Sequence, residues 1–241
     1  MRSTIVFNGV CIPKWITVNR IWYKILPTFS IDESTEEGGI NRKKVTKVIQ
    51  VEFSCDRRMV ISREYEVELI KWLKGDGFKY SKLILPNDVN SYYMAKVKNN
   101  IDIEGTLRRA KGTIEFLCIG NKIEEDINSV ALNSNREIYY PGTADVKPKI
   151  KIRVSSQVSE IKIGIQNNSY NNFIKLVGNF NQNDTIEVNM ATNKITKNGI
   201  VDLTIMSLDS YFHRLVPGEN IYTISNSNKC SVTLEWQNEF L

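Results

Sequence analysis

The segment that decides the fold reads KIKIRVSSQVSEIKIGI and covers residues 149–165. Isoleucine or valine occupies every second position of 149–154, and lysine or arginine occupies the positions between them. The same alternation returns over 160–165 after a short polar interval. Successive side chains of a strand point to opposite faces, so each run predicts a strand with one buried and one solvated face, as in antiparallel sheets.

Other segments show the same period of two. They are TIVF (4–7), KVIQVEF (47–53), YYMAKV (92–97), TIEFLCI (113–119), TIEVNM (185–190) and SVTLEW (231–236). Asn198 and Gly199 tolerate positive φ and stand between two alternating runs in TKNGIV (196–201), which predicts a tight hairpin turn. The chain is therefore expected to be mainly β.

One segment has helical periodicity instead. SREYEVELIKWLKG (62–75) begins with Ser62, a favourable N-cap, and has acidic residues in its first turn and lysines in its last. Leu69, Trp72 and Leu73 share one face, and Ile70 is expected to widen it. The pattern predicts a helix over 62–73 that packs on a sheet.

Size and composition are those of a soluble globular protein with one large or two ordinary domains. The chain has 241 residues, of which 41% are hydrophobic, and a formal net charge of +5. This charge lacks the clustered excess of a dedicated nucleic-acid binder. No export signal and no apolar run long enough to span a bilayer is recognisable. The polar segment 124–148, with two prolines and a glycine, predicts a domain boundary, which we place between residues 134 and 135.

The sequence contains no recognisable catalytic or metal-binding motif. The four cysteines are scattered without zinc spacing, and small buried thiols are expected. His213, the only histidine, has Asp209 and Ser210 nearby, but no GxSxG elbow accompanies them. The acidic runs lack the ligand alternation of a calcium loop, and no phosphate-binding glycine loop is present. We therefore predict no catalytic residue, no metal, no cofactor and no enzymatic activity.

The order of several segments resembles the distal tail proteins of siphophages. FNG (7–9) is followed by the helix that ends in LIKWL (69–73), by LILPNDVNSYYMAKV (83–97) and by AKGTIEFLCIGNKIEE (110–125). NREIYYPGTADVKPKIKI (135–152), the hairpin DTIEVNMATNKITKNG (184–199) and FHRLVPGENIYTI (212–224) complete the series. No single motif is diagnostic, but together they cover almost the whole chain in the order found in that family.

The resemblance implies an architecture and a role. Residues 1–134 are expected to form a β-barrel like that of the tail tube, flanked by the helix, and 135–241 a galectin-like β-sandwich. It further implies a homohexameric ring at the distal end of the virion tail, assembled in the host cytoplasm, through which DNA passes. The implied partners are the tail-tube protein, a tail-tip or tail-associated lysin protein and receptor-binding or baseplate proteins, with no membrane contact.

Two sets of residues receive structural hypotheses. Subunit contacts are assigned to the barrel edges, the helix and a loop over 30–47, whose acidic Glu36 and Glu37 are candidates to pair with basic residues of a neighbouring subunit. The basic candidates are Arg42, Lys43 and Lys44. Joint charge reversal of these three is expected to weaken ring formation. A structural corner that includes His213 is assigned to Phe212, Leu215, Pro217, Gly218 and Asn220, because proline and glycine favour a turn and asparagine bonds local backbone.

Two alternatives are open at this stage. Exposed aromatic residues on a sandwich are typical of a carbohydrate-binding or adhesin module, although strand aromatics more often belong to the core or an interface. Within the structural class, the chain is also compatible with a tail-tube-like subunit or the equivalent hub of a phage-tail-like particle.

Overall fold

The computed structural model describes residues 4–34, 40–55, 63–74, 77, 79–98, 102–106, 109–132 and 134–241. Side chains are described for these residues except 25–34, 40–46, 102–106 and 109–110. The chain divides into two compact units, residues 1–122 and 123–241. Its mainly β composition confirms the predicted fold class.

The first unit consists of one curled, half-barrel sheet and a helix. Its strands are β1 (Val6–Phe7), β2 (Val10–Cys11), β3 (Ile16–Ser34), β4 (Ile40–Cys55), β5 (Ser81–Ile84), β6 (Ser91–Val97), β7 (Asp102–Thr106) and β8 (Arg109–Glu124). Neighbouring strands follow the order β2-β1-β5-β6-β8-β4-β3, and β7 also pairs with β8. Within the described strands, β2 and β3 therefore end the order on opposite sides.

Helix α1 (Arg63–Lys74) confirms the predicted helix to within one residue at each end. Leu69, Trp72 and Leu73 are buried in the core of the first unit, whereas Ile70 is 56% exposed, so its assignment to the buried stripe is wrong. The Trp72 ring makes an edge contact with Phe7 at 6.2 Å between centroids. These contacts hold the helix against the sheet.

The second unit is a two-sheet β-sandwich. Its strands are β9 (Asn128–Leu132), β10 (Asn135–Tyr140), β11 (Lys149–Val154), β12 (Val158–Asn167), β13 (Asn171–Phe180), β14 (Thr185–Asn189), β15 (Lys194–Lys197), β16 (Ile200–Val201), β17 (Gly218–Ile224) and β18 (Cys230–Trp236). The short strand β19 (Glu239–Phe240) lies in neither of its two sheets. One sheet has the order β16-β15-β14-β11-β18-β9 and is here called the β11 sheet. The other, the β12 sheet, has the order β10-β17-β12-β13.

The alternation over 149–154 has the predicted consequence. Ile150, Ile152 and Val154 of β11 are at most 2% exposed and belong to the core of the second unit, and the basic residues between them face outwards. Burying each such aliphatic side chain contributes about 1.5–3 kcal/mol to folding. The predicted hairpin is also confirmed: Asn198 and Gly199 have φ of 51° and 83°, and Lys197 pairs with Ile200 across the turn.

The start of the second unit differs from the predicted domain boundary. β9 pairs with β18 in antiparallel register and therefore lies in the second unit, whereas the boundary at 134/135 assigns it to the first domain. Glu124 contributes to the same region, since its N–H donates to the carbonyl of Asn238 at 2.9 Å. The assignment of 1–134 and 135–241 as functional domains stays a prediction.

Candidate functional site

The segment around His213 forms a corner that leads from β16 into β17. Leu215 is fully buried, Phe212 is half-buried against the same core, and Pro217 is exposed at the turn. Gly218 has φ of 92°, a conformation that glycine adopts without steric cost. The corner is tied to the rest of the unit because the backbone N–H and carbonyl of Leu215 both bond Val146.

Asn220 is the polar centre of this corner and is fully buried. Its Nδ2 donates to the carbonyls of Val216 at 2.8 Å and Gly218 at 3.1 Å, and its Oδ1 accepts from the Val216 N–H at 3.2 Å. Oδ1 also accepts from Asn167 Nδ2 at 3.2 Å. The side chain therefore satisfies backbone groups that the turn leaves without strand partners, which supports the structural role predicted for it.

His213 itself is 3% exposed and lies beside the Tyr222 ring, 5.6 Å between centroids. Burial lowers the pKa of His213 to about 4, with a weaker opposing effect from the backbone of Tyr211. Within the described chain, neither ring nitrogen makes a hydrogen bond of normal geometry. The imidazole is therefore held neutral in an apolar surrounding.

The two serines near His213 in sequence bond elsewhere. Ser207 Oγ donates to Asp209, and Ser210 Oγ donates to the Lys175 carbonyl at 3.2 Å. A nucleophile needs its base within hydrogen-bond reach, and neither serine is placed in that way relative to His213. This geometry supports a structural role for the histidine.

The cysteines and acidic residues give no metal site in the part of the chain that is described. No group of three or more histidine, cysteine or carboxylate side chains is placed to hold an ion there. Cys55, Cys118 and Cys230 are buried thiols as expected, but Cys11 is exposed, so the prediction is wrong for that residue. Burial raises the pKa of Cys118 to about 12. Among the described helices, none has the length and apolar character needed to cross a membrane.

The two ends of the half-barrel sheet expose apolar side chains. At one end Val10 of β2 is 56% exposed, beside the exposed thiol of Cys11. At the other end Tyr23 of β3 is 51% exposed. Strand edges with unpaired backbone groups are natural sites for pairing with another chain.

Helix α1 adds a second apolar strip to the surface of this unit. Val67 and Ile70 are 40% and 56% exposed and lie three positions apart, hence side by side on the outer helix face. The inner face is fixed to β2, since Trp72 Nε1 donates to the Val10 carbonyl at 2.9 Å. This hydrogen bond therefore fixes the position of the helix, and of Val67 and Ile70 on its outer face, relative to the edge of β2.

The predicted charged interface residues fall in or next to a long hairpin. β3 continues to Ser34 and β4 begins at Ile40, and their backbones pair from Ser30–Lys44 to Ser34–Ile40, so the expectation of a loop over 30–47 is wrong. Positions 42–44 lie in β4. The side chains of Arg42, Lys43 and Lys44 lie outside the described residues, as do Glu36 and Glu37 entirely. Their part in subunit contacts stays a prediction.

The aromatic residues that could stack on a sugar divide between core and surface. Tyr92, Tyr93 and Tyr140 are buried, and Trp15 is half-buried, with its Nε1 donating to Glu68 at 2.7 Å. Tyr139 is 71% exposed. Most of them therefore serve packing.

The β-sandwich that contains the corner has a match among known families. Residues 141–240 match the family model described as siphovirus-type tail component, C-terminal domain. The second unit is therefore similar in sequence to a component of siphovirus tails. This match confirms the resemblance inferred from the order of motifs, and within the described chain it covers β11–β18, the corner and Asn220.

Two solved structures are similar to the whole chain. The crystal structure of the Dit protein (gp 19.1) of phage SPP1, a paradigm of the hub adsorption apparatus in phages that infect Gram-positive bacteria, superposes with a TM-score of 0.76. The sequences are 14% identical, and the match covers 97% of this chain and 98% of that chain. A chain of the phage P2 baseplate in its activated conformation with Ca aligns with 12% identity over 99% of both chains, at a TM-score of 0.46. No curated protein matches.

Proposed function

We propose that this protein is a structural subunit of the distal tail hub of a siphophage. The observation that carries the proposal is the match of both units, in one chain of almost equal length, to the fold of the SPP1 Dit protein. The tail-component match of residues 141–240 supports the same family independently of the superposition. On this proposal the protein resides at the distal end of the virion tail and is assembled in the host cytoplasm.

The hub is a closed ring of six copies. A ring requires two different surfaces on each subunit that meet head to tail and close after a fixed number of copies. The first unit offers such a pair, because the β2 end and the β3 end of its open sheet differ in sequence and both expose apolar residues. The strip of Val67 and Ile70 on α1 extends the β2 side.

The ring joins the tail tube on one face to a tail-tip or tail-associated lysin protein on the other, with receptor-binding or baseplate proteins at its periphery. DNA passes through its lumen without being retained. Each phosphate neutralised by a basic side chain adds salt-dependent affinity, so a conducting lumen needs a modest charge. The net charge of the chain, +5 over 241 residues, is modest and supports this part of the proposal.

Cross-linking between the two sheet ends tests the subunit contact. The exposed native Cys11 marks the β2 end, and Tyr23→Cys places a thiol at the β3 end. Treatment of this variant with a bismaleimide reagent is expected to give a ladder that ends at six chains. The unsubstituted protein, which lacks the second exposed thiol, and a Tyr139→Cys variant with its new thiol in the second unit serve as controls. Equal ladders in the Tyr23→Cys and Tyr139→Cys variants would contradict the proposed contact.

A further inference from the structure

The outer face of the β11 sheet holds a regular grid of charged and hydroxyl side chains. Lys149, Lys151 and Arg153 run along the central strand β11 on the solvent side. A shallow pocket of about 440 Å³ lies over this face. It is lined by side chains from Lys151, Arg153, Thr185, Glu187, Thr196 and Thr233, among others.

Acidic neighbours neutralise two of the three basic residues. Lys149 Nζ lies 3.1 Å from Glu187 Oε1, and Lys151 Nζ lies 2.7 Å from Glu235 Oε1. In each pair a lysine ammonium group lies next to a carboxylate, so the two pairs contribute little net charge to this face of the sheet.

Arg153 is different. Its direct cross-strand neighbours are Thr185 on β14 and Ser231 on β18, so the guanidinium is flanked by hydroxyl groups on both sides. Within the part of the chain that the structure describes, its exposed guanidinium has no ion pair. A free guanidinium presents a planar fork of donors that matches the two oxygens of a carboxylate or phosphate group.

Neighbouring positions on the same face of the sheet carry side chains that can hydrogen-bond the hydroxyl groups of a ligand. Thr196 pairs with Glu187, and Thr233 pairs with Lys151, so both threonines lie on the pocket face of the sheet. Neither hydroxyl makes a hydrogen bond inside the described chain, and each is half-buried. Val201, 57% exposed, pairs with Thr196 at the edge of the sheet but does not line the pocket.

We propose that this pocket binds a hydroxyl-rich anion, that is, a sugar or polyol that carries a carboxylate or phosphate group. Arg153 binds the oxyanion, and Thr196, Thr233 and Glu187 bond the ligand hydroxyls. The pocket is shallow, and the strand pairing fixes the spacing of the few polar groups that would bind the ligand. Such a site has room for one small unit of a surface polymer. The proposal does not rest on ring formation, because all its residues belong to one sheet of the second unit.

Titration of the ¹⁵N-labelled full chain with three small probes tests the site. D-Glucuronic acid carries the carboxylate, sn-glycerol 3-phosphate carries the phosphate, and D-glucose is the neutral reference. At 0.15 M salt we expect at least one of the two anions to shift the amide resonances of Arg153, Thr185 and Thr233, and glucose to shift them little. Which anion binds more tightly identifies the source of the oxyanion.

Two matched variants decide the role of the guanidinium. Arg153→Gln removes the charge at an exposed position and is expected to weaken binding of the preferred anion by about tenfold or more, as for loss of a charged hydrogen bond. Lys162→Gln makes a comparable charge change on the β12 sheet and is expected to leave binding unchanged. Equal affinity in Arg153→Gln and the parent, equal binding of glucose and the anions, or no shift with any probe overturns the proposal.

Discussion

Replacing His213 by leucine, a side chain of similar volume, is expected to make the second unit less sensitive to acid. The histidine is 3% exposed, and burial lowers its pKa to about 4 from the ordinary value of 6.5. The unfolded chain therefore takes up a proton as the pH falls below 6.5, while the folded chain stays neutral until about 4. The stability associated with this group is complete above pH 6.5 and is lost as the pH falls towards 4.

The magnitude follows from these two values. At about 1.4 kcal/mol for each pH unit between them, the free energy of unfolding falls by about 2 kcal/mol between pH 7 and pH 5 on account of this group alone, and by about 3 kcal/mol at pH 4. The leucine variant lacks this dependence. The facing groups, Tyr222 and the Tyr211 backbone, carry no charge over this range, and Arg214 is paired with Asp145 at 3.2 Å.

Two measurements on the full chain test this argument. Hydrogen exchange of the amides of β17, corrected for the intrinsic pH dependence of exchange, gives the free energy of opening at pH 7 and pH 5. The parent is expected to lose about 2 kcal/mol more than the leucine variant. Since the chain has one histidine, NMR shows one set of imidazole resonances, which needs no assignment among residues. A resonance that titrates near pH 6.5 in the folded protein, or equal pH dependence in both proteins, would refute the reasoning.

Three further predictions concern the second unit and the thiols. Asn220→Ala removes the four hydrogen bonds of a buried side chain and is expected to lower the free energy of unfolding by about 2–4 kcal/mol in urea titrations. Gly142→Ala places a Cβ in steric conflict with Tyr140 Oη and 2.7 Å from the carbonyl of Glu239, so we expect a loss of about 1–3 kcal/mol in the same assay. Of the four thiols, Cys11 alone is exposed, so a thiol reagent such as DTNB is expected to modify one cysteine per native chain and four after unfolding.

Each of these has a control or a contrary result. Asn171→Ala, at an exposed position of β13, is expected to change stability by less than about 0.5 kcal/mol. An Asn220→Ala protein as stable as Asn171→Ala would show that the corner does not depend on that side chain. Full stability of Gly142→Ala would contradict the close packing of Tyr140. Rapid native modification of Cys118, whose pKa burial raises to about 12, would contradict its placement in the core.

Alternation made the second unit predictable in outline. The strands β11, β12, β14 and β18 each bury one face only. Buried and exposed positions therefore alternate along each of them with a period of two, which the sequence shows directly. β13 was not predicted, because asparagines at its two ends are typical of loops and conceal a strand whose central residues Ile174 and Leu176 are fully buried.

The pairing of strands that are distant along the chain could not be predicted from the sequence alone. The long hairpin of β3 and β4 contains charge runs that are typical of loops, yet its backbones pair over most of their length. The register that flanks Arg153 with Thr185 and Ser231 joins residues more than 30 positions apart. The alternating lysines and arginine did indicate an exposed face, but which of them lacks an acidic neighbour depends on this register.

The exposure of Val67 and Ile70 on helix α1 could not be predicted from the sequence either. A hydrophobic residue beside the buried stripe is assigned to the core from periodicity alone. The sheet beneath α1 covers Leu69, Trp72 and Leu73 but not Ile70, and only the packing of the sheet determines that width.

The central claim is that copies of this chain close into a hub ring, and negative-stain electron microscopy of the purified protein combined with light scattering tests it most directly. We predict closed rings with a central hole, single or stacked in pairs, with a mass corresponding to six chains or a multiple of six. A protein that stays monomeric at every concentration, or that grows into open filaments, would contradict the account.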